Sequence, residues 1–347
     1  MSKVSEDNWL LFFSTQQARR PAVLRQLLSK RLSNSTLFWG MRYQWLAYIN
    51  LCPSMDTQAF DQQIKLLCQQ KMLLKQDDGT VLLTADGQAC QAQLQAEHSL
   101  AAPQVFANYR VYDLVKLLRL LVQVASEASW KNARYYVAVD DFECQAVLKN
   151  WVRAHGLRAL KEQLVTELKK FLALEDPQDA WIFCSQFAGH ETVPATTKQV
   201  AQALNISQRA VELTLLDLNS RFVLELIQTN SPLAPMITHF QSKNALYQKS
   251  QKTLTLITRG FSIPQIVQRS QLKESTILEH LLNAAIFNAD FPFELFLSNT
   301  ERQLLGKILP ADIDQWQYSM VGEYQAKISF FKYRLYAIWR TREQSER

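Results

Sequence analysis

The chain has 347 residues, of which 48% are hydrophobic and 20% charged, a composition that excludes a disordered or fibrous polypeptide and leaves room for two or three buried cores. Glycine (8) and proline (10) are scarce, which favours helices over turn-rich β architecture and leaves little material for a glycine-rich phosphate loop. The net charge of +6 is mild but uneven, with 14 Lys and Arg against 10 Asp and Glu over residues 240–347, so a polyanionic partner fits best at that end.

The five cysteines, Cys52, Cys68, Cys90, Cys144 and Cys184, show no C-x-x-C spacing and no accompanying histidine pair. No metal site is expected, and each is read as a small buried hydrophobe in a reducing compartment. The opening run MSKVSEDNWLLFF sets acidic residues before an apolar stretch too short for a secretory leader. No window approaches 18 uncharged apolar residues, so no membrane span and a cytoplasmic location are expected.

In chain order, residues 1–18 predict a short lead-in helix that packs Trp9, Leu10, Leu11, Phe12 and Phe13. From Pro21, the apolar positions Val23, Leu24, Leu27, Leu28 and Leu32 have helical spacing. A second helical stretch, TLFWGMRYQWLAYINL, ends at Pro53, and Asp56 or Thr57 caps a third helix that carries Phe60, Ile64, Leu67 and Cys68 to Lys71. Met72–Lys75 and Thr80–Leu83 then read as strands joined by a turn with Asp78-Gly79 at its tip, and Thr84-Ala85-Asp86-Gly87 starts another helix. Helix, hairpin and helix in this order are the layout of a winged helix, over about residues 20–95. After the joint Leu100-Ala101-Ala102-Pro103-Gln104, residues 105–190 predict helices, interrupted by a short extended piece at WKNARYYVAV.

Residues 192–226 hold a helix-turn-helix candidate. Thr196 or Thr197 caps a helix to Leu204, Asn205-Ile206-Ser207 turns the chain, and Ser207 caps a second helix over Gln208–Leu218. Ala201 is the small residue and Ile206 the apolar residue that such a turn needs, and Gln208, Arg209 and Glu212 are expected to point outward.

A second candidate runs from Gln251 to Phe287. A helix closes at Gly260, Ser262 caps the next helix with Pro264 in its first turn, and Gln271–Glu274 is the turn with Leu272 as apolar plug. The expected inward set is Ile263, Ile266, Val267, Leu272, Ile277, Leu281 and Leu282. The last helix presents Lys273, Glu274, Ser275, Thr276, Glu279 and His280. The residues expected to contact nucleic acid are Arg259, Arg269, Lys273, Ser275, Thr276 and His280 here, with Gln208 and Arg209 from the first candidate. Glu274 and Glu279 would repel phosphate, and the reading helix lacks Arg, Asn and Gln at its base-facing positions, so backbone contacts without sequence preference are expected. The tail residues Phe330, Phe331, Lys332, Tyr333, Arg334, Tyr336, Trp339 and Arg340 interleave rings with charge, but Phe331, Leu335, Ile338 and Trp339 recur at helical spacing and predict core.

The run from Gly260 to Leu281, G-F-S-I-P-Q-I-V-x-R-S-x-L-K-E-S-T-I-L-E-H-L, resembles the helicase-type helix-turn-helix domain, whose pattern is G-x-S-x-x-x-I-A-x-x-R-x-L-x-x-S-T-I-x-x-H-L. The likeness spans about 90 residues, Leu246 to Trp339, and its most specific part is Ser275 to Leu281. Val267 departs from the usual alanine, and Ser270 stands where an arginine is usual. The domain resembles one appended to RecQ-family helicases. It also closes a family of stand-alone bacterial proteins from Firmicutes, the YpbB family, usually encoded beside a RecQ-type helicase. Length, helical middle and C-terminal position look like that family, and the resemblance implies a helicase-associated role.

No Walker A, H-E-x-x-H or G-x-S-x-G motif occurs, and the five histidines show no partner pattern. Asp140, Asp141 and Glu143 form the densest acid group and read as a helix N-terminus. The sequence therefore predicts a mainly α, multi-domain protein with four segments: a winged-helix-like unit with a short β-hairpin (1–100), a helical middle (101–190), a helix-turn-helix segment (191–245), and the helicase-type domain with its tail (246–347). It is expected to be no enzyme and to take no cofactor, metal or small-molecule substrate. Its expected role is that of an accessory factor in DNA repair or recombination, binding duplex, forked or single-stranded DNA beside a RecQ-type helicase. The alternatives are a protein–protein adaptor that docks the helicase and a winged-helix transcription regulator.

Overall fold

The computed structural model describes residues 8–29, 32–97, 100–242 and 245–345. The chain is mainly helical, with one two-stranded antiparallel sheet among the described residues. Its first third contains α1 (Pro21–Leu28), α2 (Asn34–Arg42), α3 (Thr57–Gln69), β1 (Leu73–Lys75), β2 (Val81–Leu83), α4 (Ala85–Glu97) and α5 (Gln104–Asn108). The middle contains α6 (Val111–Ser129), α7 (Phe142–His155), α8 (Leu157–Leu172), α9 (Pro177–Ser185), α10 (Thr197–Leu204), α11 (Gln208–Gln228) and α12 (Ala234–His239). The last third contains α13 (Ala245–Thr258), α14 (Ile263–Ser270), α15 (Glu274–Phe287), α16 (Asn299–Ile308) and α17 (Phe330–Ser345).

Contacts divide the chain into two compact units: Met1–Lys30 with Ala47–Ser242, and Arg31–Leu46 with Lys243–Arg347. The four segments expected from the sequence are thus grouped differently. The helix expected over TLFWGMRYQWLAYINL is also two pieces. Gln44 adopts a left-handed conformation (φ 60°) just after α2 ends, which a continuing α-helix does not tolerate.

In the first unit, Asn8–Phe12 forms a 3-10 turn that buries Trp9, Leu10 and Phe12; residues 1–7 of the expected lead-in helix, and His98, lie outside the described residues. The hairpin pairs Leu73 with Leu83, Leu74 with Leu82 and Lys75 with Val81. Its turn is held by the Asp78 carboxylate, which accepts from the Thr80 amide (3.0 Å) and hydroxyl (2.6 Å). An isolated bridge from Arg19 to Val81 extends the far edge of β2. Gly87 lies in the first turn of α4, where an added Cβ would come 2.2 Å from the Met72 carbonyl oxygen, so the strand and helix approach too closely for any other residue. The middle of the unit is built on α6, whose apolar run packs against α7, α8 and α11.

The second unit is built on α15. Every residue from His280 to Ile286 is buried, so this helix has no polar face over its C-terminal half and must be covered on several sides. α13 and α14 pack against it, and α2 and α17 supply further cover. Arg334 of α17 lies over the Phe38 ring (4.9 Å) and Arg42 donates to Asp314 (2.8 Å), which fixes α2 to the C-terminal segment.

Candidate nucleic-acid interface

The two helix-turn-helix candidates are punctuated alike. α10 and α14 are each eight residues long. α10 opens with Gln199 accepting the Thr196 amide (2.8 Å), and α14 opens with Gln265 accepting the Ser262 amide (2.8 Å). Each closes on a left-handed residue, Asn205 (φ 53°) and Gln271 (φ 56°), which turns the chain sharply enough for the cap residue of the next helix to follow two residues later. Reciprocal capping satisfies amides that a helix start leaves unpaired.

The first candidate lies in the first unit. Val200, Ala201 and Val211 are buried with Ile182 of α9, and Leu204, Ile206 and Leu215 pack partly buried against them. Ile206 therefore plugs the turn, as its position implied. The Ser207 hydroxyl caps α11 by accepting the Ala210 amide (3.0 Å), and α11 continues to Gln228, beyond the expected Leu218. Gln208 is exposed, but its amide is engaged by Thr197 (3.1 Å) and Glu212 (2.9 Å), and Arg209 is half-buried. This pair of residues is thus less available outward than expected.

In the second candidate α13 starts at Ala245, earlier than expected, and Gly260 closes it with φ +89°. Burial between α14 and α15 falls on Ile266 and Ile277, with Leu281 beneath. Leu272, expected as the plug, is 38% exposed. The turn backbone matches that of residues 205–207, left-handed at Gln271 and extended at Lys273, so the exposure of Leu272 has no cause in the turn's own conformation.

Arg259, Arg269, Lys273 and Ser275 are exposed and Thr276 is half-exposed. The Arg269 guanidinium stands over the Phe261 ring (5.4 Å), which orients its charge. Lys273 caps α15 without a side-chain bond, leaving the first amides of α15 uncapped by that residue and the N-terminal end of the helix dipole facing outward. Arg269, Lys273, Ser275 and Thr276 fall at the end of α14, in the α14–α15 turn and at the start of α15, a placement suited to phosphate oxygens, while Arg259 follows α13. Glu274 and Glu279 are exposed on the same helix.

His280 does not belong to this surface. It is 7% exposed, and its Nδ1 lies 3.0 Å from the hydroxyl of Thr253 on α13. The helix rotates away from the face that starts at Ser275, so the residue five positions on points to α13. Burial, reinforced by the charge of Lys249 and opposed by Glu279, pushes its pKa down.

Elsewhere, Asp141 caps α7 by accepting the Cys144 amide (3.1 Å) and meets Lys116 (3.2 Å), which holds its carboxyl below the usual range. Glu143 is gripped by Arg110. The acid group is structural. Cys52 and Cys144 are buried, with thiol pKa values pushed up to about 12 by burial, whereas Cys184 is exposed, contrary to its expected burial. Of the tail aromatics, Phe331, Tyr333 and Tyr336 are buried, Trp339 is half-buried beneath Arg302 (5.0 Å), and Phe330 is exposed. No helix among the described residues is long and apolar enough to cross a membrane.

Sequence reading placed a helix over the stretch that holds α2, but not its packing against α15. Its signal was present in LFWGM and YQW, a stretch too rich in large apolar groups for a solvated connector.

Comparison with known proteins agrees with this geometry. The chain is similar to Protein YpbB of Bacillus subtilis (strain 168), 24% identical over 191 residues, which cover 53% of this chain and 53% of that one. It thus spans about half the length of the curated relative it matches. No solved structure matches. Residues 249–337 match a family described as a helix-turn-helix domain, and this segment is a helix-turn-helix domain by sequence and by fold.

Proposed function

We propose that this chain is a non-enzymatic, cytoplasmic accessory factor that binds DNA through the α14–α15 surface and works with a RecQ-type helicase in DNA repair or recombination. The observation that carries the DNA part is the exposed group Arg259, Arg269, Lys273 and Ser275 at a helix-turn-helix whose second helix starts without a side-chain cap. The contacts are to phosphate, because the exposed start of α15 offers hydroxyls and a lysine but no arginine or amide aimed at bases. The helicase part is supported by the resemblance of Gly260–Leu281 to the helicase-type domain and by the similarity to YpbB over half its length.

A salt series in a mobility-shift assay tests the DNA part: binding must weaken steeply with ionic strength, and no shift at low salt would sink it. A second reading, an adaptor that grips the helicase, is favoured by one observation. Glu274, Glu279 and the 38%-exposed Leu272 lie beside the cations, a mixed surface that suits a protein partner. Co-purification with the helicase after nuclease treatment and a high-salt wash distinguishes the two.

A further inference from the structure

The segment from Trp130 to Asp141, between α6 and α7 in the first unit, has no regular secondary structure, yet it is held at several points. The buried Gln123 side chain donates to the Tyr136 carbonyl (2.9 Å) and accepts from the Ala138 amide (2.8 Å), as a neighbouring strand would. Asn132 donates to the buried Glu127 carboxylate (2.7 Å), and Gln145 donates to the Val139 carbonyl (3.3 Å). The segment is a fixed ledge.

On it stand Trp130, Tyr136 and Phe142, which are 69%, 99% and 86% exposed. The Trp130 ring is backed on one face by the His190 ring, at 5.2 Å and 24°. His190 is itself oriented, because its Nδ1 meets Glu127 (3.0 Å) and its amide donates to the Ser126 hydroxyl (3.0 Å). One buried carboxylate thus engages both the Asn132 side chain of the ledge and the imidazole that backs the indole, while Trp130 remains largely exposed. Lys131 and Arg134 are exposed between the rings. Of the neighbouring acids, Asp141 and Glu143 are engaged by Lys116 and Arg110, which leaves Asp140 as the exposed carboxylate of the ledge.

We infer that this ledge is a stacking surface for single-stranded nucleic acid, with Trp130, Tyr136 and Phe142 taking bases and Lys131 and Arg134 taking phosphates. Rings presented to water on a rigid backbone, one of them already half of a stack, are pre-organised for a further flat ring. Two exposed cations beside separated exposed rings suit a charged strand whose bases stack, whereas a protein partner would favour a continuous apolar patch. The surface lies outside the helix-turn-helix domain of the second unit, so the two readings stand or fall separately.

Fluorescence anisotropy of the full chain with labelled oligothymidylate and oligouridylate of about 20 nucleotides tests this, with an abasic strand of equal length and polyglutamate as competing probes. Binding of either base-bearing strand is expected, the tighter of the two identifying DNA or RNA. Trp130→Ala and Tyr136→Ala should each weaken it about tenfold, Tyr136→Phe should retain it, and all three should keep the far-UV spectrum and duplex binding of the wild type. The abasic strand should bind at least about tenfold more weakly. Wild-type affinity in Tyr136→Ala, equal binding of the abasic strand, or displacement by polyglutamate at matched charge would each overturn the inference, the last pointing to a protein partner.

Discussion

His280 Nδ1 lies 3.0 Å from the Thr253 hydroxyl, and this buried contact ties α15 to α13. Burial pushes the imidazole pKa down from its ordinary value of 6.5, Lys249 adds to the effect, and Glu279 opposes it. A depressed folded-state value means that the unfolded chain takes up the proton first. The stability His280 contributes is therefore complete above pH about 6.5 and is lost as the pH falls through the folded-state value. Urea unfolding followed across this range should show the second unit weakening on acidification, with a smaller pH slope in His280→Gln. At neutral pH the variant should cost about 1–3 kcal/mol, because Thr253 loses a buried partner. An unchanged slope would mean that folding does not shift the imidazole pKa.

Gly87 and Gly79 make opposite demands. A methyl at Gly87 meets the Met72 carbonyl oxygen at 2.2 Å, and that oxygen already accepts the Thr84 amide at 3.1 Å. At Gly79 there is open space, but φ is +79°. Gly87→Ala should lower stability by about 1–3 kcal/mol by forcing α4 off the hairpin, and Gly79→Ala by about 1 kcal/mol through backbone strain alone. Denaturant midpoints of the two variants give the order directly.

α2 comes from early in the sequence, yet it packs on α15 and α17. A fragment of residues 243–347 lacks this cover, so α15 exposes an apolar face. That fragment should bind a hydrophobic dye and unfold without cooperativity, and a peptide of residues 31–46, added or fused, should restore a cooperative transition. A fragment as cooperative as the intact unit would show α2 to be dispensable.

Lys273 caps α15 with no side-chain bond, whereas Ser207 at the matching place accepts the Ala210 amide at 3.0 Å. Lys273→Ser should stabilise the second unit by about 0.5–1 kcal/mol while weakening duplex binding and lowering the salt slope by about 0.9. Stability and binding moving in the same direction would assign Lys273 a different role.

Much of this was legible in the sequence, because the punctuation is local. Ser262, Gly260 and Ser207 announce their helix boundaries, and Asp78-Gly79 announces the hairpin. Reading failed where a residue's setting depends on distant chain. His280 belongs to a motif and follows exposed neighbours, so its burial against α13 shows only once α13 and α15 are packed. Leu272 has the right type for a plug and the same turn backbone as Ile206, so its exposure is set by the packing around the turn and not by local sequence. The pairing of α2 with α15 joins parts of the chain more than 200 residues apart, which no local pattern encodes, although the missing polar face of α15 demanded a partner.

Nucleic-acid binding at the α14–α15 surface, as proposed, depends on Arg259, Arg269 and Lys273. The most direct test is the affinity of the full chain for a blunt duplex as a function of salt, for wild type and for the triple charge reversal Arg259→Glu, Arg269→Glu, Lys273→Glu. Three phosphate contacts predict a log–log slope of about −2.7, and the reversal should abolish binding at every salt concentration while leaving the thermal transition in place. A wild-type chain that ignores the duplex at low salt, or a reversed variant that binds as tightly, would contradict it.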